Sequence, residues 1–328
     1  PFLARRVSME DIAAIAERIT ARFREEGYFL TRAFVPPQSL ATGVVRIRVL
    51  EGSIEETEVV GSDHRAAVVG DHLGRIRAER PIRLGTLERS LLLIGDIPGL
   101  VVGDARLEEL ERATGRFKLT VDIERDRFDL FSSIDNRGDP DAGRTQLWTS
   151  GSVLGIGPVV DRLQVGVFTV PEAPRELMYG EVKATRLIGS DGVEIEARFS
   201  ASESEPGPDG TETLSTDSES RRATATLSVP VYRRRDASYW GRFQLDARTV
   251  EDSQAGTPIL TDHLRVGRAA IQGSTSLIGG NTWSRLEVSV GSSSFGASSE
   301  GTDRSRVDAD GSFAKVNVEL SHYRDLTD

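Results

Sequence analysis

Four histidines, no cysteines and a large stock of carboxylates set the limits of the chemistry this chain can do. His64 and His72 are the two closest imidazoles, and their spacing is not the i, i+4 arrangement that puts two metal ligands on one helix face. The lack of cysteine removes thiolate metal sites, disulfide frameworks and cysteine nucleophiles together. Asp135-Asn136, with Asp139 and Asp141, offers oxygen ligands without calcium-loop spacing or a closing Glu, so the segment reads as a hairpin turn. Gly155-Ile156-Gly157 has no third glycine and opens no helix, which argues against a dinucleotide fingerprint. Arg137-Gly138-Asp139 spells an adhesion tripeptide, in what also reads as a turn. Nothing pairs the carboxylates for acid–base work. No catalytic set, metal site or cofactor is expected, and the chain does not read as an enzyme.

What remains is chemistry without covalent change: backbone edges and polar faces. The clearest case is Val193–Ala201, where Val193, Ile195, Ala197, Phe199 and Ala201 alternate with Glu194, Glu196, Arg198 and Ser200. A strand points successive side chains to opposite faces, so this segment has one apolar and one wet face. About ten such segments follow one another at 127–135, 144–155, 161–170, 177–188, 192–202, 220–231, 237–250, 262–273, 282–291 and 312–322. Some connections are short, as at 189–192, and others long and polar, as at 202–219 and 291–311. Strands of this length, with alternating short turns and long loops, fit an antiparallel transmembrane β-barrel. A β-sandwich shares the alternation, although its strands are usually shorter. In a barrel the wet positions face the lumen: Glu194, Glu196 and Arg198; Arg242, Gln244, Asp246 and Arg248; Lys315, Asn317 and Glu319.

Composition agrees with both architectures. No stretch approaches the ~20 apolar residues of a membrane-spanning helix, and a barrel, hiding its apolar residues at every second position, has the mean hydropathy of a soluble protein, here −0.29. The formal net charge is −10, of which residues 126–328 carry −9. This argues against a nucleic-acid partner. Arg233-Arg234-Arg235 reads as a solvated strand end.

Residues 1–126 have another texture. Residues 8–26 predict a helix with Ser8 as N-cap, Asp11 three residues on, Ile12, Ile15, Ala16, Ile19 and Phe23 on one face, and Gly27 as C-cap. Strands are expected at Tyr28–Val35 and Val44–Leu50. A second unit opens with a strand at Ile54–Val60, then helices at 63–77 and Thr86–Ile94, the latter capped by Thr86, then strands at Leu100–Glu109 and Arg116–Glu124. Residues 1–50 repeat that order without its opening strand, so the chain carries one partial and one complete copy of a small α+β unit.

These residues resemble a known family. Gly27–Gln38, with Gly43–Gly52, is similar to the end of the first POTRA domain of the two-partner secretion outer-membrane transporters, the haemolysin secretion/activation family, and Ile54–Glu124 to the second. Phe131–Gly138, Leu187–Gly192 and Val229–Arg233 sit where the family's barrel has similar phrases. The resemblance implies a partial first POTRA-like domain at 1–52, a second at 53–126 and the N-terminal part of an outer-membrane barrel at 127–328. Family barrels have about sixteen strands, a Val-Arg-Gly-aromatic loop and an amino-terminal plug helix. These are not found here, and the chain reads as a fragment of such a protein, with a cut or processed N-terminus. The implied function is secretion of an unfolded exoprotein from the periplasm through the pore, without ATP, by a monomer held in outer-membrane lipid. The POTRA arrangement also places Leu100–Glu109 at a sheet edge. Val101, Gly103, Ala105 and Leu107 are then expected to face the unit's own helices, and Val102, Asp104 and Arg106 water. Such an edge offers unpaired N–H and C=O groups to an extended client. The rival readings are a factor that inserts other barrels and a soluble β-rich binding protein.

Overall fold

The computed structural model of the 328-residue chain describes residues 8–39, 43–61, 66–111, 113–138, 144–157, 159–205, 216–277, 279–301, 304–305 and 310–325. Two compact units divide it, one of residues 1–96 and 100–125 and one of residues 97–99 and 126–328. His64, Asp139, Asp141 and part of the 202–219 and 291–311 connections lie outside the described residues.

In the first unit, α1 (Met9–Glu25) begins and ends as its sequence dictates. Asp11 N donates to Ser8 Oγ and Ser8 N to Asp11 Oδ2, a reciprocal capping box. At the other end Glu26 is the cap, Gly27 takes φ +90°, and Tyr28 N donates to Phe23 O while Gly27 N donates to Arg24 O. That is a Schellman motif, and the Phe23 and Tyr28 rings supply its hydrophobic contact at 6.0 Å.

The two strands expected next shrink to β1 (Arg32–Phe34) and β2 (Arg48–Leu50). Local bonds take the missing rungs. Thr31 N donates to Tyr28 O within the turn that follows the helix. The Gln38 amide donates to Arg46 O and accepts from Arg46 N, both at 2.8 Å, standing in for a partner strand. Pro36 and Pro37 have no N–H to give.

The second α+β portion runs β3 (Ser53–Gly61), α2 (Ala66–Ala78), α3 (Leu84–Gly95), β4 (Leu100–Glu109) and β5 (Arg116–Arg125). The sheet order is β3-β5-β4, with β3 parallel and β4 antiparallel to β5. Its core is Ile54, Val69, Leu73, Ile76, Ile82, Leu87, Leu93, Ile94, Leu119, Val121 and Ile123, all buried. Thr86 is not the cap of α3. The helix starts two residues earlier, Arg83 is its N-cap without a side-chain bond, and Leu84 N donates to Gly27 O instead. A carbonyl distant in sequence thus satisfies the first of the free N–H groups of the longer helix.

The second unit is a single ten-stranded meander: β6 (Phe128–Asp135), β7 (Gln146–Leu154), β8 (Arg162–Thr169), β9 (Met178–Ile188), β10 (Val193–Ser204), β11 (Thr216–Arg233), β12 (Ala237–Gln254), β13 (Thr257–Leu277), β14 (Gly280–Gly291) and β15 (Phe313–Tyr323). Each strand pairs antiparallel with its neighbour in sequence, and β6 and β15 form the two edges. The three central strands are longer than the sequence predicts. β12 and β13 continue to a two-residue turn at Ala255-Gly256, with φ +49° and +74°, the type I′ geometry that matches strand twist. Residues 251–261 were expected to be mostly connection. They are the end of a hairpin whose 18- and 21-residue strands exceed the ~9–11 residues that cross a bilayer. Where β13 outruns β14, the following connection covers it: Ser292 N donates to Arg265 O, Ser298 N to His263 O, and His263 N to Ser298 Oγ. The exposed edge is thereby closed to other strands.

Candidate functional site

The first candidate feature is the free side of β4. Among the described residues it pairs only with β5, so Val101, Val102, Gly103, Asp104, Ala105, Arg106 and Leu107 lie on an edge strand. The expected alternation along it does not hold. Val102 pairs with Ile123 and Ala105 with Val121, so Gly103 and Asp104 together oppose one residue in a β-bulge. The extra residue inverts the pattern. Val102, Ala105 and Leu107 share the face of the buried Ile123, Val121 and Leu119, while Val101 turns outward and is 45% exposed. Arg106 holds the outer face by a two-oxygen contact with Asp122 at 2.9 and 3.0 Å. Arg32 from β1 meets Glu109 at 3.1 Å and ties down the far end of the strand.

The α+β portions are joined by more than this ion pair. Arg83 Nη2 donates to the Tyr28 hydroxyl at 2.6 Å and its guanidinium lies 5.0 Å from that ring's centre. Ile82 N donates to Gly52 O. The beginning of α3 and the end of α1 are therefore held together by backbone and side chain. On the outer face of the three-stranded sheet, Glu58 accepts a 2.8 Å contact from Lys118, whose ammonium it holds above its ordinary pKa.

The second feature is the ten-stranded sheet, whose two faces differ in kind. Registers link Ile195, Leu227, Phe243, Ala269, Val288 and Val316 across six strands of one face. The other face carries the row Glu196, Thr226, Gln244, Arg268, Ser289 and Lys315. All ten residues expected on the wet side fall on this second face: Glu194 and Arg242 each pair with Ser228, Arg198 and Asp246 with Thr224, Arg248 with Arg222, Asn317 with Glu287, and Glu319 with Arg285.

The polar face is cross-linked by charge. Asp246 is 7% exposed, accepts from Arg222 Nε at 2.6 Å and Gln244 Nε2 at 3.3 Å, and has Arg268 Nη1 at 3.0 Å. Glu287 meets Arg285, Ser289 and Asn317. Arg198 lies between Glu196 at 3.2 Å and Glu181 at 3.8 Å. Arg222, Arg268, Arg285, Glu181 and Glu287 were not singled out from the sequence, although period two along their own strands marks them. Asp161 was missed for a different reason, since it lies in a turn. Fully buried, it accepts from Leu187 N at 2.7 Å and Arg186 Nη1 at 3.0 Å, so the one charged residue among the apolar-face positions of β9 is neutralised there.

Among the described residues no group of three or more metal-ligating side chains is present, and no helix is long and apolar enough to cross a membrane. His72 is buried in α2, within the second α+β portion.

Residues 1–52 match the family model of the POTRA domain, ShlB-type. Over 178 residues the chain is 26% identical to the heme/hemopexin transporter protein HuxB of Haemophilus influenzae strain Rd, an alignment covering 52% of this chain and 31% of that protein. The chain thus spans about a third of the length of the curated relatives it matches. Its fold is that of CdiB from Escherichia coli, with a TM-score of 0.76 at 18% identity over 98% of this chain and 60% of the other. CdiB from Acinetobacter baumannii is similar over 87% of this chain and 54% of its own, with a TM-score of 0.62 at 13% identity. The resemblance to two-partner secretion transporters and the fold class, α+β POTRA-like units followed by an antiparallel barrel wall of ten strands, stand on these matches. The curated relatives are described as transporters.

Proposed function

We propose that this protein is an outer-membrane transporter that binds an unfolded exoprotein in the periplasm and secretes it through a β-barrel pore, as in two-partner secretion. Its parts are a partial first POTRA-like domain at 1–52, a second at 53–126 and barrel wall from 127 to 328. The observation that carries the reading is the sheet with one continuous apolar face and one continuous charged face. A soluble sandwich buries its apolar face against a second sheet, whereas Leu245 in a central strand is 70% exposed. Lipid is the solvent that suits such a face, and a hydrated lumen suits Glu194, Glu196, Arg198, Arg242, Gln244, Asp246, Arg248, Lys315, Asn317 and Glu319. Mixed charges, largely neutralised by one another, give a wall to which a passing chain adheres weakly.

The α+β domains lie in the periplasm and the long connections outside. The edge at Val101–Leu107 takes the client as an added strand. Backbone pairing reads little sequence, which suits an unfolded chain. Folding outside the cell supplies the drive without ATP. The protein works as a monomer with no cofactor and no nucleic acid.

The test is expression from the complete gene in a Gram-negative host, with and without the exoprotein encoded beside it. The expected result is heat-modifiable migration in the outer-membrane fraction and exoprotein in the medium only when both are present. Secretion unaffected by deletion of the transporter gene overturns the reading. Loss of other barrels from the outer membrane on that deletion would instead mark an insertion factor.

A further inference from the structure

On the apolar face of the ten-stranded sheet, near the outer end of its apolar band, lies a groove of about 580 Å³. That is within the ~300–1,000 Å³ of small-molecule sites. Ala223, Ala225, Gly267, Leu245 and Phe295 are among its lining residues, with Leu245 in register between Ala225 and Gly267. Arg265 closes the top, in register with Ala247, which in turn pairs with Ala223. Two further facts bear on an occupant. The Arg265 guanidinium is held by backbone carbonyls, Nε donating to Phe295 O and Nη1 to Arg248 O and Leu264 O, which fix its position, and among the described residues no carboxylate forms an ion pair with it. Arg221, one row further out on the same face, is paired with Glu219. And Gly267 is not required by the protein's own packing: its φ is not positive, and a Cβ there meets nothing within 4 Å. A glycine inside a strand is otherwise unfavourable, and it often marks a place where something approaches the backbone.

We propose that this groove binds a phosphorylated, acylated lipid of the outer leaflet, an acyl chain lying over Gly267 between Leu245 and Phe295 and a phosphate on Arg265. The site rests on the reading of this face as the lipid-facing side of a barrel. An apolar trough ended by a fixed cation complements a phosphate-bearing amphiphile, and a bare anion satisfies only one of the two parts. Arg265 stands where the outward residues of β13 change from Gly267, Ala269 and Ile271 to His263, the level at which headgroups meet acyl chains.

The test uses the protein from its complete gene, purified from outer membranes in detergent, and measures retained bisphosphorylated hexa-acyl lipid A by native mass spectrometry. Heat-modifiable migration of every variant reports a folded barrel. Arg265→Gln is expected to lower retention about five-fold, the effect of one cation at a membrane surface. Gly267→Leu, which fills the groove, is expected to do the same, and Lys315→Gln on the opposite face to leave it unchanged. Equal retention by wild type, Arg265→Gln and Gly267→Leu overturns the site. So does loss in Arg265→Gln alone, or displacement of lipid A by equimolar inorganic phosphate, since either means an anion site without an acyl groove. Wild-type protein without heat-modifiable migration overturns the barrel reading, and the site with it.

Discussion

Lys118-Leu119-Thr120-Val121-Asp122-Ile123 in β5 and Lys315-Val316-Asn317-Val318-Glu319-Leu320 in β15 are nearly the same sentence. Both alternate apolar and polar residues in the same phase. In β5 the apolar three are 1%, 0% and 1% exposed, under helices α2 and α3. In β15 they are 63%, 74% and 72% exposed. An edge strand is expected to be open, but Leu245 in the centre of the large sheet is as exposed at 70%. The difference teaches that alternation specifies two chemically distinct faces and leaves open which one faces the protein. The small sheet, with helices to lay on it, hides its apolar side. The large one, with no layer of its own to cover it, leaves that side exposed and gathers its charges on the other.

Substitutions that put the same charge into the two regions test this contrast most sharply. Val121→Arg places an unpaired cation in a closed core, and a loss of about 4 kcal/mol or more is expected, read as protease sensitivity confined to the α+β region. Leu245→Arg is expected to cost about 2–4 kcal/mol if that position lies near a bilayer midplane, with Gln244→Arg next to it under about 1 kcal/mol. Urea titration of the folded, heat-modifiable band in lipid gives both values, and equal costs at 244 and 245 would remove the distinction between faces.

Asp246→Ala ranks next. It leaves Arg222 and Arg268 facing each other without their shared carboxylate, and about 3 kcal/mol of destabilisation is expected in the same titration. Asp246→Asn retains hydrogen-bond acceptance without charge and should recover part of it.

The edge of β4 is tested by Gly103→Pro. Gly103 is outside the β4–β5 register, so the proline removes an edge donor without breaking a rung. About a ten-fold loss of exoprotein binding is expected, equivalent to ~1.4 kcal/mol, with outer-membrane levels unchanged. A variant that binds its client normally means the edge is not the docking strand.

The smallest effect is at the joint. Tyr28→Phe removes the acceptor of Arg83 while keeping the ring against Phe23. Faster hydrogen exchange at the start of α3 is expected.

Much of the fold was legible because it is written in short-range terms. Ser8 and Asp11 announce a capping box, Gly27 announces the end of α1, and period two announces each strand of the meander. The misreadings lie where a hydrogen bond outside the expected pattern replaces the expected one. Gln38 takes the backbone bonds of Arg46 and shortens the β1–β2 ladder. The helix expected to start at a Thr86 cap starts at Leu84, whose N–H is met by the carbonyl of Gly27. Asp161 has no periodicity to mark it, because its function is to meet Arg186 and Leu187 across a turn.

The sequence by itself determined the order of elements and, through alternation, which residues travel together on a face, because both depend on neighbours within a few positions. Only the tertiary structure decided the rest. The bulge at Gly103-Asp104 exists because β4 has to keep register with β5, and it turns Val101 outward against its pattern. The grouping of Asp246 with Arg222 and Arg268 exists because three strands bring side chains 24 and 22 residues apart into contact. Burial of an apolar face belongs to whatever covers it, and that is a property of the assembled layers rather than of the strand.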